Sequence, residues 1–164
     1  GELDILVLDL PPGTGDIQLT LTQKLRMTGA IIVTTPQDIA LADVRKGADM
    51  FRKVNTPVLG VIENMSGLII NGNTDPDNSN LQINGQKVAI EDNGNFSISL
   101  DLFKTGGGEK ESERLGVPLL GKVPISESIM SSTDSGAPLT THEPLNDIGE
   151  IYLSISKQIV SLIE

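Results

Sequence analysis

The chain has 164 residues, 38% of them hydrophobic, which is enough for one domain with its own core. With three Phe, one Tyr and no Trp, that core must be aliphatic. A formal charge of −10 argues against nonspecific binding to nucleic acid or anionic membrane. No apolar run approaches the roughly 20 residues of a membrane span, and the N-terminus lacks a signal-peptide pattern, so the cytoplasm is the expected location. The absence of cysteine excludes disulfides and thiolate ligation of zinc or an iron–sulfur cluster by this chain. Its one histidine, His142, cannot form a metal site alone and reads as a solvated loop residue.

Leu3, Ile5, Leu6, Val7, Leu8 and Leu10 form a nearly continuous apolar run, which predicts a strand buried on both faces of a parallel sheet. Asp9 falls where such a strand ends, at the carboxyl edge where open α/β sheets bind ligands. Pro11 and Pro12 stiffen the exit, while Gly13 and Gly15 open backbone geometry closed to other residues. A carboxylate followed by free amide donors suits a magnesium-bound phosphate. An ordinary strand-to-helix turn has the same composition. Asp16 can cap the next helix, which Gly29 is expected to end.

Ala30–Thr34 reads as a second buried strand, and a helix with an approximate apolar stripe follows from about Asp38 to Val54. Its basic residues Arg45, Lys46, Arg52 and Lys53 are expected to face solvent. Pro57–Glu63 is a third strand. Val117–Val123 is a fourth, closed by Pro124, with a short helix to follow at 127–134. Ile148, Ile151, Tyr152, Ile155, Ile159 and Leu162 mark a last amphipathic helix over about 145–162. Strands and helices alternating at this spacing predict an α/β fold with a mostly parallel sheet and flanking helices.

Between Gly67 and Gly108 the chain turns rich in Asn, Asp and Gly. Asn84-Gly85 and Asn93-Gly94 are hairpin-turn signals. An inserted antiparallel excursion or flap over residues 67–105 is expected, with 71–80 open between order and disorder. The triple glycine 106–108 is followed by no Lys-Ser/Thr. It reads as a backbone hinge before a helix at about 109–115.

Asp4 through Asp16 fit D-x-L-x-x-D-x-P-P-G-T-G-D position by position, and this stretch resembles the Walker B and switch II region of the Mrp family. These are P-loop ATPases of the MinD/ParA-like class linked to iron–sulfur clusters. Thr34-Thr35-Pro36-Gln37, the segments 60–66, 106–108, 115–118, 120–124 and 135–138 also resemble their Mrp counterparts. The resemblance thus covers most of the chain outside about 67–102. It implies one ATPase domain, of which residues 1–164 are the C-terminal part. It implies that Asp9 supports Mg²⁺ through a water and that the Gly13 amide senses the γ-phosphate of ATP. Asp16 would orient water there, or simply cap its helix. Asn64 matches the position that reads adenine, and its amide can both donate and accept; capping a turn is the alternative. Pro124 and Ile125 match the loop lining the other side of the base, unless they form a simple solvent turn.

Two departures qualify the resemblance. Mrp proteins commonly carry a Cys-x-x-Cys pair after the Glu-Asn-Met-Ser segment, through which two subunits share a cluster. Here Ser66 is followed by Gly-Leu-Ile-Ile-Asn-Gly. The family's phosphate-binding G-x-x-x-x-G-K-[ST] loop also has no match, since Gly121-Lys122 runs into Val123. The isolated chain is therefore expected neither to bind ATP tightly nor to hydrolyse it, and its 3–10 strand to offer an apolar edge to a second copy. The parent protein is expected to be a homodimeric ATPase serving iron–sulfur client proteins. Two rival readings stand beside it: a MinD/ParA-like partitioning ATPase, and a non-enzymatic module whose flap binds a partner. The last helix carries only Lys157 as a basic residue, which speaks against membrane docking.

Overall fold

The apolar, β-branched run after Pro57 begins the longest strand among the described residues. In the computed structural model, which describes residues 2–11, 16–77, 80–103, 105–141 and 146–164, this strand, β2, extends over Val58–Asn73. It is preceded by α1 (Asp16–Lys24), β1 (Ala30–Thr34) and α2 (Asp38–Lys53). After it come β3 (Gln82–Ile83), β4 (Gln86–Lys87), β5 (Asn95–Leu100), α3 (Gly107–Leu115), β6 (Leu119–Ile125), α4 (Glu127–Ser135) and α5 (Asp147–Ile163). The first half of β2 lies between two parallel neighbours: Val61, Ile62 and Glu63 pair with Ile32, Val33 and Thr34 of β1 and with Leu119, Gly121 and Lys122 of β6. Its second half, Leu68–Asn73, pairs antiparallel with β5.

Consecutive strand residues divide between two cores, because successive side chains point to opposite faces of a sheet. Ala30, Ile32 and Val61 join Ala48, Met50 and Phe51 of α2 and Leu115 of α3 on one face. Ile31, Ile62, Leu120 and Val123 meet Ile129 of α4 and Ile151, Ile155 and Ile159 of α5 on the other. The result is helix, sheet, helix in three layers, as the alternating pattern predicts.

Several expectations need correction. Residues 3–10 form no strand: Leu3, Leu6 and Val7 are 73%, 69% and 80% exposed, and only Leu10 packs against the core. A strand persists only with hydrogen-bonded neighbours, and β1 has β2 as its sole partner among the described residues. The first helix stops at Lys24 rather than Gly29. It buries Gln18 and Thr22, one turn apart, while Leu19 and Leu25 stay exposed. Gln18 Nε2 donates to the Pro11 carbonyl, tying the helix back to the segment before it.

β2 continues through Asn64-Met65-Ser66 instead of ending there, and β6 runs through Pro124 instead of closing on it. The proline is tolerated because the ladder skips it. Pairing passes from Asn64↔Val123 to Leu68↔Ile125, so no bond to its missing N–H is needed. The flap is an antiparallel ribbon, β2 with β5, beside a small β3–β4 hairpin. Asn84 and Gly85 have φ of 49° and 77°, the two positive values of a type I′ turn. Residues 71–73 are strand, and His142 lies outside the described residues.

Candidate functional site

β1 and β6 both end beside the middle of β2, and polar residues gather there. β2 advances four residues, 64 to 68, while β6 advances two, 123 to 125, so β2 carries a two-residue bulge at this edge. Met65 (φ 54°) and Gly67 (φ 90°) make the kink. For a methionine this left-handed backbone costs about 1 kcal/mol. The Met65 N–H donates to Asn64 Oδ1 at 2.9 Å, which stabilises the turn. Asn64 is half-buried beside Val123, with Pro124 and Ile125 next along β6. Among the described residues its Nδ2 has no hydrogen-bond partner.

Next to the bulge sits Glu63, 1% exposed, where the apolar first part of β2 gives way to Asn64. Its Oε1 accepts from Ser66 Oγ at 2.7 Å, and its Oε2 accepts from the Gly108 N–H at 2.6 Å. A buried carboxylate needs such donors, and the first turn of a helix supplies one whose dipole favours negative charge. α3 comes this close because it starts on glycines. A Cβ on Gly108 would stand 2.7 Å from Glu63 Cβ, and one on Gly107 would stand 2.9 Å from Pro36 Cα. The triple glycine thus lies partly inside α3, packing it onto the strand ends, rather than wholly before it as a hinge.

Lys122, opposite Glu63 on β6, donates to Glu109 Oε1 at 2.8 Å. That hydrogen bond raises the lysine above its ordinary value, with help from the charges of Glu109, Glu63 and Asp101 and against some desolvation. On the far side of α3, Glu111 is 1% exposed and accepts from Arg114 Nε and Nη2 at 2.9 and 2.6 Å, and from Arg45 Nε at 3.4 Å. The Arg114 pair lies within α3, and the Arg45 pair links α3 to α2. Arg45, expected simply to face solvent, is therefore half-exposed and engaged.

Of the residues singled out in the sequence, the fold brings Asn64, Pro124 and Ile125 to one edge. Asp9 lies on the exposed 3–10 segment and has no hydrogen-bond or ion-pair partner among the described residues. Gly13 and the side chain of Asp16 lie outside the described residues. Glu63 was not picked out as a site residue, although a charged residue closing the run 57–63 is a signal available in the sequence, and Gly108 was read only as part of a backbone hinge. Among the described residues no group of three or more His, Cys, Asp or Glu could hold a metal ion, and no helix is long and apolar enough to cross a membrane. A groove of about 280 Å³ between α4, the turn at Leu139–Thr141 and α5 contains none of the residues above.

Solved structures share this architecture. The nucleotide-binding protein of Archaeoglobus fulgidus, determined in complex with ADP, superposes with a TM-score of 0.59 at 30% identity, over 84% of this chain and 47% of that one. The cell-division ATPase MinD of Pyrococcus furiosus gives 0.54 at 19% identity, over 82% and 43%, a likeness of fold alone. The fold is that of a P-loop NTPase. The sequence profile of the ParA group's NUBPL iron-transfer P-loop NTPases matches residues 1–102 and 87–160, and the chain belongs to that family. Among curated relatives, the iron-sulfur cluster carrier protein of Pseudomonas fragi is 43% identical over 94% of this chain and 46% of its own length. The iron-sulfur cluster transfer protein NUBPL of Dictyostelium discoideum is 40% identical over 100% and 44%. The chain spans less than half the length of these relatives.

Proposed function

We propose that this chain forms the base-side and metal-side wall of an ATP site in an iron–sulfur cluster carrier of the Mrp type. The observation that supports this most is the bulge at residues 64–67, which leaves the Asn64 amide hydrogens uncommitted beside Pro124 and Ile125 at the carboxyl edge of the sheet. An amide donor there suits an adenine ring nitrogen, while the proline and isoleucine suit the face of the base. Asp9, an exposed carboxylate without a partner among the described residues, is a hard oxygen donor suited to Mg²⁺ through a water. Bound magnesium would neutralise phosphate charge. Gly13 is assigned the γ-phosphate and Asp16 the water near it, on the strength of the sequence resemblance.

No G-x-x-x-x-G-K-[ST] loop occurs in these 164 residues. On this reading the chain alone binds Mg-ATP weakly and does not hydrolyse it, because the amides and lysine of such a loop give most of the phosphate affinity. A homodimer, iron–sulfur client proteins and a cytoplasmic location belong to the same proposal. Any cluster it handles takes its thiolates from outside these residues, which contain no cysteine.

Adenosine tests the wall without needing the phosphate cradle. In an amide-resolved NMR titration of the 164-residue chain, adenosine should shift Asn64, Met65 and Ile125 at millimolar concentration, and guanosine should not. Asn64→Ala should remove the difference. Shifts confined to other regions, or micromolar Mg-ATP affinity in calorimetry, would overturn the reading.

A further inference from the structure

Glu63 is the most buried charged residue at the nucleotide-facing edge, and the role proposed for Asn64 does not by itself account for it. We propose that Glu63 is the positioning residue for Asn64, fixing the bulge so that its side-chain amide meets an adenine rather than another base. The inference rests on the reading of Asn64 given above.

One carboxylate touches both parts that must hold still. Oε1 takes the Ser66 hydroxyl, closing a loop around the two intervening residues, Asn64 and Met65. Oε2 takes the Gly108 N–H, anchoring that loop to the first turn of α3. Without the Ser66 bond, the strained Met65 backbone would be held only by Asn64's own Oδ1 and by the ladder, which resumes at Leu68. The bond from the Met65 N–H to Oδ1 orients the planar amide, Nδ2 included, only while the bulge keeps its shape. Glu63 therefore acts on base choice through Asn64 and touches no ligand itself. The position is rigid, because Glu63 pairs with Thr34 and Lys122 on both neighbouring strands and Gly108 leaves no room for a shift.

Two substitutions separate this role from simple stability. Ser66→Ala removes the grip on the bulge and leaves the bond to α3. Glu63→Gln can keep both contacts, since its carbonyl accepts from Gly108 while its amide donates to the Ser66 oxygen. Both variants are titrated with adenosine and guanosine by NMR beside the native chain and Asn64→Ala. Ser66→Ala should lower the preference for adenosine about fivefold, the worth of one well-placed hydrogen bond, and should move the Met65 amide resonance in the free protein. Glu63→Gln should stay within about twofold of the native preference. If Asn64→Ala loses the preference while Ser66→Ala keeps both it and the native Met65 resonance, the positioning role is wrong and the Asn64 reading survives. If the native chain shows no adenosine preference, both fall together.

Discussion

Replacing Gly108 by alanine probes the contact that joins α3 to the sheet edge. The added Cβ would lie 2.7 Å from Glu63 Cβ, 3.1 Å from Glu63 Oε2 and 3.2 Å from Leu119 Cδ1. Glu63 Cβ is fixed to a strand paired on both sides, so the helix itself must retreat. Retreat lengthens the 2.6 Å bond from the Gly108 N–H to a carboxylate that is 1% exposed. Overpacking of this kind costs about 1–3 kcal/mol, and the better helix propensity of alanine returns at most about 1 kcal/mol. The expected net loss is about 1–2 kcal/mol. Gly47, within α2, is the internal control, because a Cβ there meets nothing within 4 Å. Gly47→Ala should gain about 0.5–1 kcal/mol by restricting the unfolded chain and favouring the helix. The two alanines should then differ by about 2 kcal/mol, or ~4–8 °C in Tm for a chain of this size. Urea unfolding followed by circular dichroism measures both. A Gly108→Ala protein as stable as the native one, with an unchanged denaturant slope, would refute the close docking of α3 on Glu63.

Two further outcomes follow from the ion pairs. Arg114→Ala leaves the buried Glu111 with Arg45 alone, a longer 3.4 Å contact to a half-exposed side chain, and should destabilise by about 1–3 kcal/mol. Arg45→Ala should cost clearly less in the same urea assay, and equal losses would contradict this asymmetry. Lys122 is raised above its ordinary 10.5, first by its hydrogen bond to Glu109, so it holds its proton more tightly folded than unfolded. Its contribution is then fully present below 10.5 and fades as pH rises through the folded value. The stability gap between native chain and Lys122→Met should thus be constant well below that pH, shrink above it, and also narrow with added salt because the pair is part-exposed. A gap that grows with alkalinity would show the sign to be wrong.

Local patterns carried most of the fold. A short apolar run placed β1, and 3.6-residue spacing placed α2 and α5, within about two residues of their observed ends, because such patterns record which faces a segment buries. Asn84-Gly85 likewise specified its turn, since both residues accept positive φ at little cost. The segment 3–10 shows the limit of such reasoning. Its apolar run states what the segment would bury, but pairing depends on a neighbour that the segment does not contain. Pro124 misled for a related reason: a proline ends a strand only where its partner requires an N–H, and the bulge in β2 removes that requirement.

The sequence by itself determined an α/β chain with a mostly parallel sheet and flanking helices, a cysteine-free composition and the motifs around Asp9, Asn64 and Pro124 that mark its family. These are properties of residue type and spacing, which survive in a one-dimensional string. Tertiary structure alone decided that Glu63 and Gly108, 45 residues apart, meet at 2.6 Å, and that β2 bulges between Asn64, which pairs with Val123, and Leu68, which pairs with Ile125. Such contacts arise only when separate elements pack, because the partner of a buried carboxylate is chosen by geometry between elements and leaves no period in either one.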